Sequence, residues 1–138
     1  MILDERQVED LNNLAKKFDL ALIILFGSSV SERLHVKSDI DIAVYLAKVK
    51  PTLKEYSELV EAFHEVFSYK EIDLSFINHA DPLFLKKILE KCQLLYGSPS
   101  MFQQLKIYAF KRYQDHKRYF KMEEEFAKRF IEGSLSKR

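Results

Sequence analysis

Two aspartates one residue apart, Asp39 and Asp41, stand ten residues after the dipeptide Gly27-Ser28. Both fall in the stretch 39–45, which is rich in β-branched residues and reads as a strand. Residues two apart in a strand share a face, so the two carboxylates point the same way while Ile40 and Ile42 anchor the opposite face. Like charges so placed repel each other unless a divalent cation neutralises them. Mg²⁺ suits that task, because it takes oxygen ligands, typically one or two carboxylates plus substrate phosphates. A third carboxylate is expected from an adjacent strand. Asp73 is the candidate, in a segment that alternates Glu71, Asp73 and Ser75 with Ile72, Leu74 and Phe76; Glu71 is its substitute on the same face. Three carboxylates on one sheet face fit two-metal phosphoryl chemistry, with Asp73 as general base or as ligand to the catalytic ion.

Gly27 follows the apolar run Leu20–Phe26 directly. Without a Cβ it lets the backbone turn sharply and approach a ligand closely. Ser28 then presents a hydroxyl and a backbone N–H at what reads as the start of a short helix over 29–33, a setting that favours phosphate oxygens. The turn Gly27-Ser28-Ser29 is therefore the expected nucleotide-phosphate contact.

These residues need elements to hold them. Val8, Leu11, Leu14, Ala15 and Phe18 recur at helical spacing and predict an amphipathic helix over 4–18. The run 20–26 reads as a strand buried on both faces. Pro51-Thr52 opens a helix to about Phe67, with Tyr56, Leu59, Val60, Phe63 and Phe67 on its buried stripe. Residues 72–77 read as a third strand. Asp81 caps, and Pro82 starts, a helix to about Cys92. Residues 94–96 read as a short fourth strand, and Ser98-Pro99 opens a long helix towards Glu132, with Gly133 as its expected stop. The order predicts an α/β (α+β) fold, a mixed sheet covered by helices with a long C-terminal helix. No repeat or linker divides the 138 residues, so one domain is expected, a core of about 1–97 and a helical arm of about 98–133.

The Gly-Ser, ten residues, Asp-x-Asp pattern matches the signature of the DNA polymerase beta superfamily of nucleotidyltransferases. The length and the phrase Ser38-Asp39-Ile40-Asp41-Ile42-Ala43-Val44 look most like its minimal nucleotidyltransferase (MNT) branch. The resemblance covers about 20–95 and implies a polymerase-beta-like core. It assigns Gly27 and Ser28 to the nucleotide phosphates, Asp39 and Asp41 to metal, and Asp73 to the third acidic position. Many relatives carry an arginine soon after Gly-Ser; here Ser29-Val30-Ser31-Glu32 stands instead, which leaves Arg33, Lys37 or another residue to supply the cation. Many MNT proteins are antitoxins encoded beside a HEPN-domain ribonuclease toxin, and some transfer AMP from ATP to a tyrosine of that toxin. The resemblance thus implies ATP as donor, Mg²⁺ as cofactor with two ions, and a cognate HEPN toxin as partner. Transfer to a small molecule or an RNA end, or inhibition by binding without catalysis, are the competing readings.

Bulk properties are compatible with this. Hydrophobic residues make up 47% of the chain, enough for a core. A net charge of +1 does not call for nucleic acid as the main partner, although residues 100–138 carry ten Lys/Arg against five Asp/Glu. The aromatic and basic residues of that arm fit either a helix packed by one face with its cations solvated, or a partner-binding face, with single-stranded RNA binding a lesser option. Cys92 is the sole cysteine and reads as core, in a reducing compartment. The N-terminus lacks signal-peptide character and the longest apolar run is too short for a membrane span, so a cytoplasmic protein is expected. The four histidines lack zinc-like spacing. Tyr45 either lines a base pocket or packs against a helix.

Overall fold

The structure, a computed structural model, describes residues 2–30, 39–47, 51–68, 70–78 and 80–136. The chain runs α1 (Glu5–Phe18), β1 (Leu20–Phe26), a 3₁₀ turn (Gly27–Val30), β2 (Ile40–Leu46), α2 (Leu53–Val66), β3 (Ile72–Phe76), α3 (Pro82–Glu90), β4 (Cys92–Tyr96) and α4 (Pro99–Ser136). The sheet order is β3-β2-β1-β4. Strand β1 pairs antiparallel with β2 and β4, and β2 pairs parallel with β3. The mixed sheet, its helical cover and the long C-terminal helix are those expected.

Local signals explain the boundaries. Asp4 accepts the Gln7 N–H at 2.7 Å while the Gln7 side chain accepts the Asp4 N–H at 3.1 Å, a reciprocal cap that starts α1. Thr52 and Asp81 cap α2 and α3 more simply, their side-chain oxygens accepting the Glu55 and Phe84 N–H groups at 3.1 and 3.0 Å. The sheet then divides the core into two layers. Helices α1 and α2 bury Leu11, Leu14, Phe18, Leu59 and Phe63 against Ile23, Leu25, Ile40, Ile42 and Val44. Helices α3 and α4 bury Leu85, Ile88, Phe102 and Ala109 against Leu22, Ile24, Ala43 and Ile77. A register shift between Leu20 and Leu22 lets Leu20 join the first layer although Leu22 joins the second.

Several expectations need correction. Helix α4 does not stop at Gly133 but continues to Ser136. A glycine inside an exposed helix costs only about 1 kcal/mol relative to alanine, which a 38-residue helix absorbs. The turn after Gly27 is a 3₁₀ helix beginning at Gly27 itself rather than a helix from Ser29. Helix α3 ends at Glu90 because Lys91 adopts extended geometry and Cys92 already pairs with Phe26. Val8 and Tyr56, placed on buried stripes by spacing, are more than a third exposed. No helix among the described residues is long and apolar enough to cross a membrane.

Candidate active site

The register of the three strand pairings brings the predicted chemistry to one edge of the sheet. Asp41 lies opposite Phe26 on β1 and opposite Asp73 on β3, and Phe26 in turn lies opposite Cys92 on β4. Residues directly opposite share a face, so Asp73, Asp41, Phe26 and Cys92 form one row on the side covered by α3 and α4. Neighbouring strands lie about 4.8 Å apart, which puts the Asp41 and Asp73 carboxylates side by side. Asp39 immediately precedes β2 and is exposed; pairing begins only at Ile40, whose N–H donates to the Glu71 carbonyl at 2.8 Å.

The electrostatics follow from this crowding. Burial, the negative charge of Asp73, that of Asp39, and a hydrogen bond from the protonated Asp41 carboxyl to Asp73 all push Asp41 above the ordinary carboxylate range. The environment thus penalises a second negative charge at this point and would reward a cation. The donor set fits Mg²⁺ in kind, being hard carboxylate oxygen next to an open edge where phosphates and water can complete the shell. The three aspartates do not converge on a single point, however: among the described residues no three carboxylate, imidazole or thiol groups are placed to hold one ion. Asp41 and Asp73 make the close pair and Asp39 adds charge from outside.

Gly27 completes the edge. Its φ is +72°, and a Cβ built there would stand 2.6 Å from Asp41 Oδ2. Only a residue without a side chain lets the turn lie against that carboxylate. The Gly27 N–H donates to the Lys91 carbonyl at 3.3 Å, which ties the turn to the start of β4. Ser28 and Ser29 continue the turn, and Val30 packs into the α1/α2 layer. The cation candidates Arg33 and Lys37 and the histidines His35 and His79 lie outside the described residues.

Some neighbours of the site were not visible in the sequence. Phe26 and Cys92 belong to the aspartate row only through long-range register. Cys92 is half-buried rather than fully core; its thiol donates to the Leu89 carbonyl at 3.5 Å, and burial raises its pKa while the charge of Lys106 opposes that rise. Tyr45 sits on the aspartate face, but fully buried Ala43 separates it from Asp41. It lines a separate cleft of about 270 Å³ with Leu22, Ile77, Met101, Leu105 and Tyr108, so it packs against a helix.

Comparison with known proteins places this geometry. The fold resembles that of a toxin–antitoxin crystal structure with AMP-PNP, at TM-score 0.71 and 21% identity over 87% of this chain and 97% of the other. It also resembles a chain in a structure of a tri-AMPylated Shewanella oneidensis HEPN toxin in complex with MNT antitoxin, at TM-score 0.67 and 19% identity over 89% of this chain and 97% of the other. Spectinomycin adenyltransferase AAD(9) from Enterococcus faecialis is more distant, at TM-score 0.50 and 16% identity over 67% of this chain and 56% of that one. No curated protein sequence matches. The sequence model for polymerase beta nucleotidyltransferases matches residues 9–100, a span that contains the glycine turn and all three aspartates. With the model covering that much of the chain and the fold agreeing, the protein belongs to the polymerase beta nucleotidyltransferase family.

Proposed function

We propose that the protein is an antitoxin that transfers AMP from ATP to a tyrosine of a cognate HEPN ribonuclease toxin and so neutralises it. The observation that carries this reading is the pairing of Asp41 with Asp73 on one sheet face, with Gly27 pressed against Asp41. The likeness of the fold to toxin–antitoxin structures, one with AMP-PNP and one with an AMPylated HEPN toxin, supports the choice of donor and partner.

In this reading Asp39, Asp41 and Asp73 would hold Mg²⁺, two ions in the full site, which would supply neutralisation of phosphate charge and a lowered pKa for an attacking hydroxyl. Gly27, Ser28 and Ser29 hold the phosphates through the turn. Asp73, beside Asp41 and exposed, takes the phenolic proton as the tyrosine oxygen attacks the α-phosphorus. A P–O bond forms to tyrosine, the α–β bond breaks and pyrophosphate leaves, so the product is a tyrosyl–AMP phosphodiester. Asp41, protonated more readily than an ordinary carboxyl, would have to lose that proton to serve as a metal ligand, which would couple metal binding to pH.

The arm of α4 is the surface assigned to the toxin. Every residue of 117–133 is exposed, including Tyr119, Phe120, Phe126, Phe130 and Ile131. Large apolar side chains exposed in a series along one helix suit a partner that covers them. The chain acts as one domain, core and arm together.

The test is intact-mass spectrometry of the toxin after incubation with this protein, ATP and Mg²⁺, beside Asp39→Ala/Asp41→Ala. Addition of one or more AMP units, absent with the variant, is expected. A toxin that is bound and inhibited with no mass change would leave inhibition by binding, through the same arm, as the surviving function. Neither binding nor modification would move the search to small-molecule and RNA-end acceptors.

A further inference from the structure

The family's arginine after Gly-Ser is missing from this chain, yet a triphosphate brings several negative charges to an edge already crowded with carboxylates. Among the described residues, two cations on the helices over the aspartate face are half-buried, Lys86 and Lys106, and only the first of them is paired with a carboxylate. Lys106 is half-buried on α4, and its Nζ stands 4.4 Å from the centre of the Phe102 ring, itself a buried core residue. Its charge reaches the Cys92 thiol. Cys92 is the end of the row that continues through Phe26 to Asp41, two strand spacings or about 10 Å away. Lys86, on neighbouring α3, behaves differently: it pairs with Glu90 at 2.8 Å.

We propose that Lys106 binds the distal phosphates of the nucleotide, standing in for the missing arginine. The inference rests on the nucleotidyltransferase reading and names the residue that completes its donor site. A nucleotide whose α-phosphate lies at Asp41 and Asp73 extends its β- and γ-phosphates along the row, over Phe26 towards Cys92. The lysine stem is flexible enough to swing its ammonium from the Phe102 ring to a phosphate oxygen, and a compact ammonium is a common phosphate ligand. Stacking on Phe102 keeps the ammonium near the edge in the meantime. No carboxylate among the described residues competes for this ammonium, so it is available to an anion, and the triphosphate is that anion.

Isothermal titration of the full-length protein with ATP, AMP and inorganic tripolyphosphate, in the presence of Mg²⁺, tests this. Lys106→Met is expected to weaken ATP and tripolyphosphate binding roughly 10- to 100-fold, the worth of one charge-assisted contact, and to leave AMP nearly unchanged. Lys106→Arg should retain most of the affinity. Lys111→Met, an exposed lysine on the same helix, should match wild type. In transfer assays Lys106→Met should raise KM for ATP more than it lowers kcat. Tripolyphosphate binding by Lys106→Met equal to wild type, or equal losses for Lys106→Met and Lys111→Met, overturns the proposal and leaves the transferase reading standing. Wild-type protein that binds neither ATP nor tripolyphosphate would overturn the transferase reading, and this inference with it.

Discussion

Replacing Gly27 with alanine separates the demands of the fold from those of the site. At φ +72° an L-residue costs about 1–2 kcal/mol. The new Cβ also stands 2.6 Å from Asp41 Oδ2, inside van der Waals contact, and the flexible partner is the carboxylate itself. Rotating it away costs about 0.5–1.5 kcal/mol in off-rotamer strain and breaks its hydrogen bond to Asp73. Destabilisation of about 2–3 kcal/mol follows, a fall in Tm of roughly 3–5 °C per kcal/mol for a chain of this size. The chemical loss should be larger, since displacing a reacting group by about 1 Å can cost around 100-fold in rate. Gly97→Ala is the comparison. Its φ is +121°, and its Cβ would meet the Ala21 carbonyl oxygen at 2.5 Å and Leu22 Cδ2 at 2.6 Å. Backbone cannot rotate aside, so Gly97→Ala should lower Tm at least as much while the folded fraction keeps wild-type kcat. Melting curves and AMP transfer measured below both transitions decide the matter. If folded Gly27→Ala transfers AMP like wild type, or loses activity only in proportion to its unfolding as Gly97→Ala does, the contact with Asp41 has no part in catalysis.

Three further outcomes follow from the structure. Asp41 has a raised pKa in the folded state, so its stabilising contribution is complete below the unfolded value of about 3.9 and is lost as pH rises through the folded value. In chelator, Tm should therefore decline through that window, and Asp41→Asn should flatten the decline; because the carboxyl is partly solvated the effect is about 1 kcal/mol or less, and a steeper decline in Asp41→Asn would contradict it. Ending the chain after His116 should change the stability of the core by no more than about 0.5 kcal/mol, because every residue of 117–133 is exposed, yet should abolish capture of the proposed toxin in a pull-down. Asn78→Ala should cost about 1–3 kcal/mol in chemical denaturation without altering transfer, since the Asn78 amide both accepts the Leu46 N–H and donates to the Leu46 carbonyl, each at 2.9 Å.

Much of the site was legible because its parts are local. The apolar run of β1 and the period-two alternation of β3 put Asp73 on a definite face, and the alternation of β2 did the same for Asp41, whereas Asp39 falls just before that strand begins. That Asp73 and Asp41 stand opposite each other depends on strand order and register, which no local pattern encodes; the aspartates suggested a shared face, and only the pairing placed them side by side. Phe26, Cys92 and Lys106 could not be read at all, since their relation to Asp41 runs across strands and a helix crossing. Gly133 misled because a stop signal is conditional: it acts where the chain must turn, and nothing forces the free end of α4 to turn. The aromatic residues of α4 fitted either a packed face or a partner-binding face, and the exposure of Phe126 and Phe130 removes the packed face for that part of the helix.

Asp73 rides on the five-residue β3, the outermost strand on its side of the sheet and bonded to its neighbour in parallel fashion. Short border strands open and close far more often than the sheet that supports them. Each such fluctuation of β3 would carry Asp73 away from Asp41 while the core stayed intact. In a site that works through Asp73, competence would be set by a local equilibrium, shallower than that of the whole molecule, and a partner or nucleotide that gripped this border would raise the fraction of molecules ready to react without changing any bond that reacts.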